Sequence, residues 1–204
     1  MHINVIGAGL AGCEAAMQIA SHGIEVHLYE MKPNKKTPAH HTDKYAELVC
    51  SNSLKAMRVE SAAGLLKEEM RRLDSFLMKC ADACKVPAGG ALAVDRDIFS
   101  SLATEGIKNN KLIKVCEEEV CEIPKDEITV VASGPLTSEP LAEYIRGMFG
   151  SSLSFFDAAA PIVTAESIDM EYAFCASRYD KGDGDDYINC PMNKEEYEIF
   201  YNAL

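Results

Sequence analysis

The sequence lacks a long uninterrupted apolar run. Its most apolar stretch, Ile3 to Ala20, contains three glycines as well as Glu14 and Gln18, which makes it a poor membrane span. Only His2 precedes it as a weakly basic residue, whereas a secretion signal begins with a positively charged segment. We therefore expect a cytoplasmic protein that does not associate with membranes.

Positive charge is scarce as well. The 204 residues include 20 Lys and Arg but 32 Asp and Glu, so the formal net charge is -12. Affinity for the phosphates of a nucleic acid comes from clustered Lys and Arg, and the overall field of this chain cannot supply it. A nucleic-acid partner would need a local basic patch or positive charge from another segment.

The eight cysteines show no spacing typical of zinc sites. Cys80 and Cys84 are separated by three residues, Cys116 and Cys121 by four, and no CxxC pair occurs. A chain with 48% hydrophobic residues can bury a core without a disulfide framework. We expect free thiols and no metal site.

The first thirty residues show the clearest pattern. A largely apolar run from Ile3 to Ile6 ends in a glycine-rich turn. Apolar residues then recur at helical spacing up to Gly23, and apolar and polar residues alternate from Ile24 to Glu30. The order of strand, glycine-rich turn, helix and strand predicts a βαβ unit of a Rossmann-like α/β fold.

The turn matches the GxGxxG fingerprint of dinucleotide binding. Gly7 would permit the tight turn, Gly9 would let the backbone approach a pyrophosphate, and Gly12 would let helix and strand pack closely. Glu30, eighteen positions after Gly12, could accept both ribose hydroxyls of an adenosine, which disfavours NADP and leaves FAD or NAD. The expected cofactor contacts are Glu30 and the turn Gly7, Ala8, Gly9, Leu10, Ala11, Gly12.

Beyond this unit the pattern is less regular. Periodicity disappears between residues 31 and 55, which predicts a long ordered loop. A helix capped by Ser61 should follow, and later a strand from Ala91 to Val94 with Asp95 capping the next helix. The expected apolar stripe of the first of these helices consists of Leu66, Met70, Leu73, Leu77 and Cys84.

Three more strands and a final helix are predicted. Strand candidates at Leu112–Val115 and Val120–Ile123 precede a buried strand from Ile128 to Ala132, which runs into Gly134. The last helix should start near Asn193.

The amino-acid composition of the sequence changes near Gly150. An Ala-rich stretch from Phe155 to Val163 and a Gly- and Asp-rich loop from Arg178 to Asp186 follow. We expect a cofactor-binding domain at residues 1–150 and the beginning of a second, α+β domain at residues 151–204.

Two features favour FAD over NAD. A hydrophobic strand that ends in small residues and Gly134 resembles the second flavin-contacting signature of two-dinucleotide-fold flavoproteins. The run Ala93 to Arg96, with Phe99 one turn later, resembles another feature of that group. Gly134 is therefore a further candidate contact of FAD.

Longer strings make the resemblance specific. They are Val5–Ala16, Leu28–Met31, Thr37–Asp43, Glu47–Leu54, Leu66–Arg71, Val86–Arg96, Gly134–Ser138, Asp157–Val163, Ser177–Gly182 and Asn189–Met192. With these strings the sequence resembles, over essentially its whole length, the folate- and FAD-dependent tRNA (uracil-5-)-methyltransferases of bacteria. A sister family of flavoproteins that modify wobble uridine lacks the His-His-Thr-Asp and Val-Cys-Ser-Asn-Ser strings in this form.

The resemblance implies a reaction with FAD as cofactor and with methylenetetrahydrofolate and NAD(P)H as cosubstrates. Reduced FAD accepts the methylene group of methylenetetrahydrofolate and passes it to C5 of a uracil in the tRNA T-loop, and NAD(P)H reduces the flavin. It also implies that the chain is an N-terminal portion, so that a separate chain could carry the missing half. Two alternatives stay open: methylation of ribosomal RNA by the same chemistry, and a non-catalytic FAD-binding fragment.

The resemblance places the nucleophile of this reaction at Cys50. Uracil C5 is a poor nucleophile until a group adds at C6, and a thiolate suits that addition because it is soft and a good leaving group. Cys50 lies in a polar loop, whereas Cys13, Cys80 and Cys84 fall in predicted helices. A small buried apolar residue remains the alternative interpretation of Cys50.

His40 and His41 could be metal ligands or general bases. Adjacent histidines point in different directions, which suits neither a shared metal nor a proton relay. We therefore favour hydrogen bonds within the loop as their role.

Overall fold

A computed structural model describes residues 1–150, 163–177 and 184–203 of the chain. Its main sheet is parallel, with the strands in the order β6 (Ile113–Cys116), β2 (Glu25–Tyr29), β1 (His2–Ile6) and β7 (Thr129–Val131). Helix α1 (Leu10–Ser21) connects β1 to β2, and α4 (Arg96–Asn109) leads into β6. The architecture is α/β and Rossmann-like, as the sequence predicts.

A smaller antiparallel sheet flanks the main one. It contains β3 (Ser53–Ala56), β5 (Ala91–Val94) and β4 (Lys85–Val86) in that spatial order. Helices α2 (Ala62–Arg72) and α3 (Phe76–Ala83) lie between β3 and β4 in the chain. The remaining elements are α5 (Glu139–Phe149), a short 3₁₀ helix (Ala165–Ser167), the hairpin of β8 (Phe174–Cys175) and β9 (Ile188–Asn189), and α6 (Lys194–Ala203).

The core lies between the main sheet, α1, α3 and α4. Val5, Val26 and Leu28 of the two central strands are fully buried, as expected for parallel strands covered by helices. Tyr45 and Phe99 are the largest buried side chains, so the loop after β2 contributes to the core. This packing anchors the loop beside the sheet.

Several local predictions are confirmed. The βαβ unit has the predicted order, and the chain turns at Gly23 with φ +75°. Ser61 caps α2 through the Gly64 N–H, and Asp95 caps α4 through two backbone N–H groups. The final helix begins one residue after Asn193.

The prediction of one long helix after Ser61 is wrong. The chain breaks between α2 and α3, where Asp74 has φ +61° and Ser75 caps the second helix. The Glu14 carboxylate of α1 accepts hydrogen bonds from the Phe76 and Leu77 N–H groups, which fixes a new helix start there. The predicted stripe is therefore split, and Leu66 and Leu73 are exposed.

One further strand prediction is wrong, and another is confirmed as a strand but not as a buried one. Val120–Ile123 forms no strand. The segment Ile128–Ala132 contains β7, but this strand lies at the edge of the main sheet, and Ile128 and Val131 are 57% and 41% exposed. An apolar run does not reveal whether a strand is central or at an edge.

The predicted second domain is only partly described. The Ala-rich stretch and the Gly- and Asp-rich loop lie largely outside the described residues, so the boundary near residue 150 stays a prediction. Within the described ranges, no helix is long and apolar enough to cross a membrane.

Candidate functional site

The glycine-rich turn joins the carboxyl end of β1 to α1. Gly7 has φ +98°, and a Cβ there would lie 2.8 Å from the Cα of Ser133. A Cβ on Gly12 would lie 1.7 Å from the carbonyl oxygen of Gly7. Only glycine fits both positions, since the backbones of the turn, of α1 and of the segment after β7 meet there.

Gly9 differs from these two glycines. It has φ −73°, and a Cβ added to it would meet no atom within 4 Å. The first helical hydrogen bond runs from the Cys13 N–H to the Gly9 carbonyl, so the N–H groups of residues 10–12 precede the helical ladder. Gly9, Leu10 and Ala11 are exposed. The turn thus presents open space and helix N-terminal donors, which suit a phosphate group.

Glu30 follows β2 and is 8% exposed. Its Oε2 accepts the Ala8 N–H at 2.8 Å, and its Oε1 accepts the Lys32 N–H at 3.0 Å. An ionised carboxylate has about four lone-pair positions, so two remain for other donors. Glu30 therefore supports the turn and can still accept ribose hydroxyls.

Gly134 belongs to the segment after β7, which meets the glycine-rich turn at Ser133. It has φ +67°, and the Thr137 hydroxyl donates to its carbonyl oxygen at 2.7 Å. The Ser133 and Thr137 hydroxyl oxygens are also 2.7 Å apart. These bonds shape the segment after β7 into a tight turn.

A cleft forms where the strand order changes between β1 and β7. In open α/β sheets, ligands bind outside the carboxyl ends of strands at this switch point. The cleft is lined by Ile6, Gly7, Gly9, Tyr29, Glu30, Met31, His40, Glu118, Glu119, Val120, Ser133, Leu136, Thr137, Ser138 and Leu141. None of the described lining residues is Lys or Arg, so an anion bound here would depend on backbone N–H groups.

The structure brings three of the eight predicted cofactor contacts, Gly7, Gly9 and Glu30, into the lining of the cleft, and Ala8 donates to Glu30. The other four predicted contacts do not line it: Leu10, Ala11, Gly12 and Gly134. Cys50 does not line this cleft.

Cys50 is exposed and lies on a segment that is fixed on both sides. Before it, the Ala46 N–H donates to the Ala8 carbonyl at 2.8 Å, and the Arg96 guanidinium donates to the Leu48 carbonyl. After it, the Asn52 carbonyl accepts the N–H of Val94 in β5 at 3.0 Å. The backbone contacts of Ala8 thus connect the glycine-rich turn to the segment that carries Cys50.

The helical cysteines are unsuitable as nucleophiles. Burial, with a smaller contribution from Glu30, raises the pKa of Cys13 to about 12. Burial likewise raises the pKa of Cys80 to about 11, and that of Cys84 is also raised. These thiols stay protonated near neutral pH, and only a thiolate is an effective nucleophile.

The two histidines contribute to hydrogen bonds within the loop. His40 Nδ1 lies 2.7 Å from the Thr37 hydroxyl, and burial lowers the pKa of His40. The His41 N–H donates to Glu47 Oε1 at 2.8 Å. Across the described part of the chain, no group of three His, Cys, Asp or Glu side chains could hold a metal ion.

Sequence reasoning missed Lys32 and Glu47. Lys32 is 3% exposed, and its Nζ lies 3.5 Å from Glu47 Oε2. Burial alone would raise the pKa of Glu47, but hydrogen bonds from His41 and Thr42 and the Lys32 charge outweigh it and lower that pKa. Both residues fall in a stretch without periodicity, so no local signal marks their pairing.

Comparison with known proteins gives consistent matches. The family model described as Glucose inhibited division protein A matches residues 2–204. The chain is 66% identical over 204 residues to methylenetetrahydrofolate–tRNA-(uracil-5-)-methyltransferase TrmFO of Acetivibrio thermocellus. It is 61% identical over 203 residues to the protein of the same name from Lysinibacillus sphaericus.

The length of these relatives differs from that of the chain. The two alignments cover 100% and 99% of this chain but 47% and 46% of the relatives, so the chain spans about half their length. Among solved structures, Aquifex aeolicus GidA matches with a TM-score of 0.50 and 18% identity, over 61% of this chain and 21% of that chain. A likeness at that level supports the fold alone.

Proposed function

The chain belongs to the family of glucose inhibited division protein A, and we propose that it is the FAD-binding part of a tRNA (uracil-5-)-methyltransferase. The observation that carries this proposal is the 66% identity, across the whole chain, to a relative whose name states that activity. The same name gives methylenetetrahydrofolate as the one-carbon donor. We further propose NAD(P)H as the reductant and the cytoplasm as the location.

The cleft fits the adenosine diphosphate portion of FAD. Gly9 leaves open space where a pyrophosphate would approach, and the N–H groups of residues 10–12, which precede the helical ladder, would be available to donate to it. Glu30 would accept ribose hydroxyls through its remaining lone pairs. Three carboxylates, of Glu30, Glu118 and Glu119, line the cleft and would disfavour an additional phosphate on the ribose.

Cys50 would supply the nucleophile. Its sulfur would add to C6 of the uracil, which makes C5 electron-rich enough to attack the one-carbon unit, and would leave when C5 loses its proton. Bound FAD would supply the redox chemistry for transfer of that unit. The exposure of Cys50 lets a large RNA substrate reach it.

The charge distribution supports an RNA substrate near Cys50. Residues 32–116 contain fifteen Lys and Arg and ten Asp and Glu, a local charge of +5 in a chain of −12. Lys55 and Arg58, close to Cys50 in the sequence, are exposed and form no ion pair within the described residues. Free cationic side chains of this kind contact phosphates.

A chimera tests the proposal. This chain would replace its matching segment in the Acetivibrio thermocellus relative, and labelled methylenetetrahydrofolate would report transfer to a tRNA transcript. We expect transfer with the parent chimera and none with Cys50→Ser, while both retain the flavin absorption spectrum. Cys121→Ser is the matched control, since Cys121 is also exposed, and should remain active.

Other outcomes select the alternatives. Unchanged transfer by Cys50→Ser would refute the nucleophile. Transfer to a ribosomal RNA fragment but not to tRNA would select the other substrate. A chain that binds no FAD, alone or in the chimera, would refute the cofactor site, and an active mixture of this chain with the remaining half would support a two-chain enzyme.

A further inference from the structure

Lys32 connects the loop after β2 to the segment that leads to Cys50. Its side chain is 4% exposed, its Nζ donates to the Lys44 carbonyl at 2.5 Å, and Glu47 Oε2 lies 3.5 Å away. A buried cation without partners is strongly unfavourable, so these contacts hold residues 44–47 against Lys32.

The same residue contacts the candidate cofactor cleft through its backbone. The Lys32 N–H donates to one oxygen of Glu30, and the Ala8 N–H donates to the other. The Ala46 N–H, in turn, donates a hydrogen bond to the Ala8 carbonyl at 2.8 Å. Glycine-rich turn, Glu30, Lys32 and the 44–47 segment therefore form a closed ring of contacts.

We propose that Lys32 is a positioning residue that couples occupancy of the cleft to the order of residues 41–48, and hence to the placement of Cys50. This inference rests on the proposed function, since it takes the ligand to be an adenine dinucleotide. Ribose hydroxyls that donate to Glu30 would fix its carboxylate, and both N–H groups bound to that carboxylate would become less mobile. A less mobile Lys32 would in turn hold Glu47 and the Lys44 carbonyl, which its Nζ contacts, more firmly in place.

Glu47 is the second member of the coupling. Its carboxylate accepts the N–H groups of His41 at 2.8 Å and of Thr42 at 3.3 Å. When Lys32 holds Glu47 in place, these hydrogen bonds also restrict the motion of the backbone at residues 41 and 42. Because coupling between two equilibria is reciprocal, an ordered loop must also strengthen ligand binding by the same factor.

Amide hydrogen exchange of the chain, with ADP as the probe, tests the coupling. The reporters are the N–H groups of His41, Thr42 and Ala46, whose acceptors belong to the ring. We expect saturating ADP to slow their exchange about tenfold in the wild-type chain, and less than twofold in Lys32→Met. The dissociation constant of ADP should rise in Lys32→Met by a similar factor.

Lys36→Met is the matched control. Lys36 lies in the same loop but forms an exposed pair with Asp43 at 2.7 Å, so its removal should leave the effect of ADP unchanged. If Lys32→Met does not fold, Glu47→Gln tests the same coupling at the Ala46 N–H, because it removes the charge that faces Lys32 at similar volume while Ala46 keeps its acceptor on Ala8. His41 and Thr42 donate to Glu47 itself, so their exchange is not compared in this variant.

The outcomes separate the two proposals. A purely structural role of Lys32 would speed exchange equally with and without ADP, and that result would overturn the coupling. An ADP effect of equal size in Lys32→Met or Glu47→Gln and the wild type would do the same while leaving the cofactor site intact. Absence of ADP binding to the wild-type chain would overturn the cofactor site and the coupling together.

Discussion

Alanine at Gly9 and alanine at Gly12 should have opposite consequences for folding and for ligand binding. The Cβ of Gly12→Ala would lie 1.7 Å from the Gly7 carbonyl oxygen, and no rotamer change can move a Cβ. The turn must therefore shift, at a cost of about 3 kcal/mol or more. For a chain of this length, that corresponds to a melting temperature about 6–12 °C lower.

Gly9→Ala should leave the fold intact. The position has φ −73° and ψ −168°, which any residue adopts, and no atom lies near the added Cβ. Alanine is a poorer N-cap than glycine but loses less conformational entropy on folding, so stability should change by less than about 1 kcal/mol. The methyl group would occupy the space assigned to the pyrophosphate, and FAD affinity should fall about tenfold to a hundredfold.

Urea unfolding followed by circular dichroism, together with calorimetric titration of FAD, measures both effects. A Gly9→Ala chain that binds FAD as tightly as the wild type would refute the approach of the pyrophosphate at Gly9. A Gly12→Ala chain as stable as the wild type would refute the close contact within the turn.

Three further predictions concern thiols, caps and acid stability. Iodoacetamide at pH 8, followed by peptide mass spectrometry, should modify the exposed Cys50 rapidly and leave Cys13 unmodified, since burial raises the pKa of Cys13 to about 12; equal rates would contradict this. Asp95→Ala should lower the free energy of unfolding in urea by about 1–2 kcal/mol because two backbone N–H groups lose their acceptor. Ser138→Ala is its control, since Ser138 makes no capping hydrogen bond, and a loss of equal size would refute the cap. Burial alone would raise the pKa of Glu14, but the hydrogen bonds that the carboxylate accepts outweigh burial and lower this pKa below the usual 4.5. The ionised carboxylate therefore stabilises the fold above pH 4.5, and this stabilisation is lost as the pH falls through the lowered pKa. The stability difference between wild type and Glu14→Gln in urea should therefore shrink below pH 4.5, and a constant difference would show that Glu14 does not contribute through its charge.

Local patterns in the sequence predict local structure well in this chain. The βαβ unit and the Asp95 cap are each encoded within a few consecutive residues, where glycine geometry and hydrogen-bonding side chains act at short range. The same holds for the glycine-rich turn, of which Gly7 and Gly9 line one cleft with Glu30.

Features that depend on distant contacts were not predictable. The break between α2 and α3 depends on Glu14, which lies about sixty positions earlier in the chain and accepts the first N–H groups of α3. The edge position of β7 follows from strand order rather than from its apolar sequence. Burial of Lys32 depends on Glu47, fifteen residues later in a loop without periodicity.

The open edge of β7 has a consequence for handling the chain in solution. On its outer side this strand has no partner among the described residues, and the apolar side chains of Val131 in the strand and of Ile128 just before it are accessible. At neutral pH the charge of −12 makes separate molecules repel one another and keeps such edges apart. Near the isoelectric point of about 4.9 this repulsion disappears, so intermolecular strand pairing and precipitation should be greatest there. Acid titrations therefore require dilute samples that cross this pH quickly.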